Sequence, residues 1–248
     1  MLNALTIERS SVHERPTFQH SVRLSSTLPF VGSQRGVKPD GLDRTNVRRF
    51  QSKEHVFCEG DSRTHVYQIE EGVVTIYQML NDGRRQIVDF AYPGDFIGLG
   101  ATGEHLFSAE TTTTTRVRSF SATALEDEAQ RNPNLALQLY KAVSLELSAA
   151  RALLVAIGQR SAIERVATFL LMLHGRTAAA NGSEGEGFVH LPMRRADIGD
   201  FLGLTIETVS RTITKLRMMR VIEVSHGTEI RIANLNKLTA LAEQQPRH

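Results

Sequence analysis

Three side chains in one short run, Glu207, Ser210 and Arg211, offer a carboxylate, a hydroxyl and a guanidinium at offsets of three and four residues. On an α-helix such offsets share a face. An arginine can donate two hydrogen bonds to the O6/N7 edge of guanine, a glutamate can accept from a cytosine amine, and a serine can contact several base edges. That is a base-reading set. The bland alternative is a solvated helix face that happens to carry these residues, so the decision rests on what surrounds them.

Two apolar stripes flank the set. Ile198, Phe201 and Leu202 form one, and Ile206, Val209, Ile213 and Leu216 form the second at steps of 3, 4 and 3. Gly203 between them suits the left-handed or closely approached backbone of a tight turn between two crossing helices. Thr205 is placed to cap the second helix, with Glu207 in its positively polarised first turn. The pattern predicts a helix-turn-helix whose outward side carries Glu207, Thr208, Ser210, Arg211, Thr214 and Lys215. Val221 to Val224 and Glu229 to Ile232 then alternate about Ser225-His226-Gly227-Thr228, a β-hairpin signature that would make the unit a winged helix. His226 reads as a turn residue. Thr205, Thr208 and Lys215 are candidates for phosphate contacts, as are Arg194 and Arg195, which only topology places there.

Composition sets the class. The chain has 248 residues, 41% hydrophobic and 23% charged, which suits one large or two ordinary soluble domains. No continuous apolar run approaches the ~20 residues of a membrane span, so no membrane partner is expected. The first thirty residues hold no signal-peptide core, so a cytoplasmic location is expected. The net charge is only +2. Its distribution is more telling: residues 34 to 130 hold 11 Lys/Arg against 15 Asp/Glu, whereas residues 194 to 220 hold 6 against 3. Positive charge gathers around the proposed reading helix, as phosphate binding requires.

Residues 1–33 have scattered apolar positions and read as a tail. Residues 34–130 read as a β-rich domain of short strands punctuated by Glu59-Gly60-Asp61, Glu71-Gly72, Asn81-Asp82-Gly83 and Pro93-Gly94-Asp95. Residues 131–160 read as a long helix, capped by Asn132 and opened by Pro133. Leu139, Val143, Leu147, Ala150, Leu154 and Ile157 follow at steps of 4, 4, 3, 4 and 3, close to a coiled-coil seam. A second stripe through Ala142, Leu145 and Leu153 would pack on the β domain. The two stripes together predict a homodimer, which suits a palindromic site with half-sites one helical turn, ~34 Å, apart. Residues 161–248 read as the winged unit, entered by a helix from Ala162 to His174 that Ser161 would cap. The fold class expected is therefore α+β.

The run DIGDFLGLTIETVSRTITKL, with Glu207, Ser210 and Arg211 in an E-x-x-S-R pattern, resembles the CRP/FNR superfamily of bacterial transcription regulators, most closely its FNR branch and FixK-like group. The resemblance spans roughly residues 45 to 240. It implies a cyclic-nucleotide-binding-type β-roll, a dimerisation helix and a winged helix-turn-helix. It also implies that Arg211 reads guanine, Glu207 the paired cytosine or a neighbouring adenine amine, and Ser210 a thymine, in a TTGAT/ATCAA palindrome. Low-oxygen or nitrogen-fixation genes would be activated, with RNA polymerase as a partner. Arg194 departs from the family, standing where relatives often place a Ser or Thr cap.

Two cofactors that the superfamily uses are not expected here. The tail lacks the cysteines that hold an iron-sulfur cluster in the FNR branch. Between Arg85 and Arg116 there is no Lys or Arg, and Phe107-Ser108 falls where cyclic-AMP-binding relatives carry an Arg-Ser pair for the phosphate. The alternative function is a regulator whose β-roll senses a cyclic nucleotide, haem or another small molecule. The nine histidines and the single Cys58 show no metal-ligand spacing, and Cys58 reads as a small buried hydrophobe. With no nucleophile-base pair or nucleotide loop, an enzyme is not expected.

Overall fold

The computed structural model describes residues 46–181, 187–225 and 228–243. The tail prediction for residues 1–33 and the reading of His226 as a turn residue lie outside these.

The N-terminal half is a roll of two four-stranded antiparallel sheets. Its strands are β1 (Asn46–Phe50), β2 (His55–Phe57), β3 (His65–Glu71), β4 (Val74–Met79), β5 (Arg85–Ala91), β6 (Phe96–Ile97), β7 (Ser108–Thr111) and β8 (Thr115–Ser121). One sheet has the order β1-β8-β3-β6 and the other β2-β7-β4-β5. Residues such as Phe57, Ile69, Val74, Ala109 and Val117 fill the space between them. β4 and β5 form a hairpin whose turn is secured by a 3.1 Å bond from the Arg84 N–H to Asp82 Oδ1, with Gly83 at φ +81°.

Two helices follow: α1 (Ala122–Arg131) and α2 (Pro133–Gln159). Asn132 caps α2, its side chain accepting from the Leu135 N–H at 3.2 Å, and Pro133 occupies the first turn, where its missing donor costs nothing. α2 runs 27 residues and, by length and composition, is apolar enough to cross a membrane. Its surroundings say how it is used. Ala142, Leu145 and Ala149 line a cavity against the roll, while Val143, Leu147 and Leu154 stand exposed, Leu154 at 72%. Leu139 departs from the predicted seam: it packs beside Val66, Ala122, Leu125 and Leu135. Tyr140, 69% exposed, holds the outward position instead, and with Val143, Leu147, Ala150, Leu154 and Ile157 it keeps alternating steps of 3 and 4.

The C-terminal half comprises α3 (Ala162–Asn181), β9 (Phe188–His190), α4 (Arg195–Leu202), α5 (Ile206–Met218), β10 (Ile222–Ser225), β11 (Glu229–Ile232) and α6 (Leu235–Glu243). At the start of α3 it is the Glu164 carboxylate that turns back to accept from the Ser161 N–H, at 2.7 Å. β10, β11 and β9 make a small antiparallel sheet. Its core does not stop at the domain edge. Phe90 of the roll packs against Phe169 of α3 and Phe201 of α4, with ring centroids 6.3 and 5.2 Å away, so roll and winged unit share one apolar cluster.

Candidate nucleic-acid interface

Of the predicted inward stripe of α5, Val209, Ile213 and Leu216 are buried, joined by Thr212, while Ile206 in the first turn is 46% exposed; this turns Glu207, Ser210, Arg211, Thr214 and Lys215 outward, all exposed. Gly203 ends α4 at φ +63°, in the left-handed region, and makes the turn. Gly199 is as necessary, though the sequence did not announce it: a Cβ there would sit 2.6 Å from the Leu204 carbonyl oxygen. Only a missing side chain lets the turn close onto α4.

Thr205 caps α5 through its hydroxyl, which accepts from the Thr208 N–H at 3.2 Å and lies 3.0 Å from the Thr208 hydroxyl. Thr208 is half-buried by that contact, so of the two only Thr205 is fully at the surface. Glu207 lies at the same positive helix end. Its own backbone N–H, then the Thr205 hydroxyl and the Arg211 charge, hold its carboxyl below the usual range. It is therefore an anion and a pure acceptor at neutral pH, the state in which it could take a proton donor on a base edge.

The two remaining arginines are placed differently from one another. Arg194 precedes α4, and the cap missing from its side chain is supplied from the other direction. Asp197 accepts from the Arg194 N–H at 2.9 Å and pairs with its guanidinium at 3.3 Å. Arg194 nonetheless keeps 63% of its side-chain surface. Arg195 is half-buried, and that burial lowers its pKa.

Asp197 also takes a second guanidinium. Arg85, at the start of β5, bonds both Asp197 and, at 3.0 Å, Asp200, and Gln86 donates to the Asp200 carbonyl at 2.7 Å. Burial alone would raise the Asp197 pKa, but the bonds from Arg194 and Arg85 outweigh it and hold the carboxyl low. The hairpin of the roll is thus tied to the first helix of the helix-turn-helix.

A cavity of about 210 Å³ lies between the roll and α2, walled by Phe57, Arg63, Asp89, His105, Glu146 and Arg176 among others. The tertiary fold brings two arginines here that sequence proximity could not show. Both are engaged: Arg176 with Asp95 at 2.7 Å, and Arg63 with the Thr102 carbonyl and with Glu126, each at 2.8 Å. Asp89 and Glu146 add two acids, and burial raises the pKa of both, that of Asp89 to about 7. A phosphodiester there would share the cavity with these two acids and find both arginines already paired, so the cavity does not favour the small-molecule alternative in its cyclic-nucleotide form. Cys58 is a correction: it is only half-buried, just beyond β2, with its N–H bonded to Asp61 at 2.7 Å.

A β-roll, a long helix with an uncovered apolar face and a winged helix-turn-helix presenting Glu207, Ser210 and Arg211 define a DNA-binding transcription regulator. Comparison with known families agrees in detail: residues 164–241 match the Crp-like helix-turn-helix domain, and residues 47–132 match the cyclic nucleotide-binding domain. The nitrogen fixation regulation protein FixK of Bradyrhizobium diazoefficiens is 46% identical over 178 residues, 72% of this chain and 74% of that protein. The transcriptional activatory protein AadR of Rhodopseudomonas palustris is 39% identical over 78% of this chain and 80% of that protein. Among solved structures, FixK2 from Bradyrhizobium japonicum superposes with a TM-score of 0.74 at 34% identity, covering 81% of this chain and 98% of that one. The chain belongs to the CRP/FNR superfamily, in its FixK-like group.

Proposed function

We propose that this regulator binds, as a homodimer, a TTGAT/ATCAA palindrome and activates genes of low-oxygen metabolism or nitrogen fixation. The observation that carries the proposal is the outward face of α5, where Glu207, Ser210 and Arg211 are all exposed on a buried scaffold. Arg211 reads guanine, Glu207 the opposite cytosine or an adjacent adenine amine, and Ser210 a thymine. Thr205, Lys215 and the exposed part of Arg194 serve the phosphates. Thr208 and Arg195 contribute less, because each is partly buried.

The apolar face of α2, from Tyr140 to Ile157, is covered by the same face of a second copy. Its 3,4 spacing fits a helix partner better than lipid, and Lys141, Glu146 and Arg151 interrupt the helix with charge. Residues 34–130 then act as the roll, 131–160 as the dimer helix and 161–248 as the reading unit, in the cytoplasm, with RNA polymerase as the recipient of the signal. The names of the FixK relatives support the gene class.

A gel-shift titration of the purified full chain on the palindrome, with and without cyclic nucleotide, tests this. Tight binding without added ligand, lost when either half-site is scrambled, is expected. Equal affinity for an unrelated duplex of the same length would refute it.

A further inference from the structure

The end of the long helix and the helix-turn-helix meet at one side chain. Arg165, in the first turn of α3, donates from all three guanidinium nitrogens to main-chain carbonyls of two other helices. Nε bonds the Arg160 carbonyl at 2.8 Å and Nη2 the Ile157 carbonyl at 2.6 Å, both at the C-terminal end of α2. Nη1 bonds the Leu202 carbonyl at 3.0 Å and reaches that of Gly203 at 3.4 Å, both at the C-terminal end of α4. A Cβ built on Gly203 would lie 3.6 Å from both Arg165 Nη1 and Ile157 Cγ2, so the three elements are in contact.

The last carbonyls of a helix lack intrahelical donors and carry the negative end of its dipole. Two such ends brought together repel unless a cation with several donors stands between them. A planar guanidinium can serve both at once, whereas a lysine, with its single nitrogen, cannot span them.

We propose that Arg165 is a positioning residue that fixes the angle between α2 and the reading head, and thereby sets the half-site spacing that the dimer accepts. This rests on the dimer and palindrome reading given above. In a two-fold dimer held along α2, any swing of one head is mirrored in the other. One inserted base pair turns a half-site by about 35° and moves it about 3.4 Å, which a stiff pair of heads cannot follow. A loosened α2–α4 junction can follow it, with head and roll, held together by the Arg85 tie and the shared aromatic cluster, turning on α2 as one body. Base contacts within each half-site are untouched, so spacing and base selectivity separate.

The experiment measures affinity of the full chain, as wild type and as Arg165→Gln, Arg165→Lys and Arg211→Ala, on palindromes with the preferred spacer and with one base pair more or fewer. A duplex with a mutated half-site is run beside them, and melting checks the fold. Wild type is expected to lose about tenfold or more off the preferred spacing, since simultaneous engagement fails. The Arg165 variants should lose less than about threefold while still rejecting the mutated half-site. Arg211→Ala should show the reverse pattern. An unchanged spacing ratio in both folded Arg165 variants, or loss of the folded state in both, overturns the proposal and leaves the function standing. A wild type that prefers no palindrome overturns the function and the proposal together.

Discussion

Asp89 is expected to make the protein less stable as the pH rises from about 4 to 7, and Asp89→Asn should remove that dependence. The carboxyl lies on the cavity wall, where burial raises its pKa from 3.8 to about 7 despite the nearby Arg176 charge. At one pKa unit per 1.36 kcal/mol, the difference corresponds to up to about 4 kcal/mol. The sign is that of a raised acid. Below pH ~4 both folded and unfolded chains hold the proton and nothing is lost. Between about 4 and 7 the unfolded chain ionises first, so stability falls by about 1.4 kcal/mol per pH unit. Above 7 both are ionised and the full cost is present. Asparagine keeps an oxygen to accept from the Phe90 N–H, now bonded at 2.8 Å, and carries no charge to desolvate. Urea unfolding of both proteins at pH 5, 6, 7 and 8 should therefore show the variant gaining on wild type from pH 5 to 7, with the gap levelling off by pH 8. A gap that stays constant with pH, or that widens toward pH 5, would refute the assignment of the charge penalty to this carboxyl.

Arg85→Ala leaves Asp197, whose side chain is only 8% exposed, with Arg194 as a remaining partner; a loss of about 2 to 3 kcal/mol in chemical unfolding is expected, and no change would mean the tie is idle. Gly199→Ala drives a methyl into the Leu204 carbonyl and should cost about 1 to 3 kcal/mol, seen as faster amide exchange in α4 and α5; exchange rates equal to wild type would exclude the clash. Arg211→Ala should weaken binding to the matched palindrome by about 1 to 3 kcal/mol and relax preference at one base pair, whereas an equal loss on every duplex would reassign it to the phosphates. Thr205→Ala removes the cap of α5 and should lower stability by about 1 kcal/mol, readable as a shift of the thermal midpoint.

The reading helix was legible because its information is local: apolar steps of 3 and 4, a glycine turn and a threonine cap each act within a few residues. The hairpin of the roll and the start of α2 at Asn132-Pro133 were legible for the same reason. α1 was not, since only Ala122 and Leu125 are buried in it and two positions make no stripe. α6 could have been found, because Asn234 caps it, accepting from the Lys237 N–H at 2.8 Å, and Leu238, Leu241 and Ala242 share a buried face. Leu139 and Tyr140 illustrate a limit of periodicity, since both fit an apolar helix and only α1 beside them decides which turns inward.

What the chain determined alone was most of the order of elements, α1 and α6 aside, and the outward set Glu207, Ser210 and Arg211, since helical period and capping depend on neighbours in the chain. Tertiary structure decided the rest: that Asp197 serves Arg85 from 112 residues away, that Arg165 gathers two helix ends, and that Asp89 lines a cavity between the roll and α2. Hydrogen bonds and desolvation act over a few ångströms of space, and no spacing along the chain records which distant groups the fold will bring within that reach.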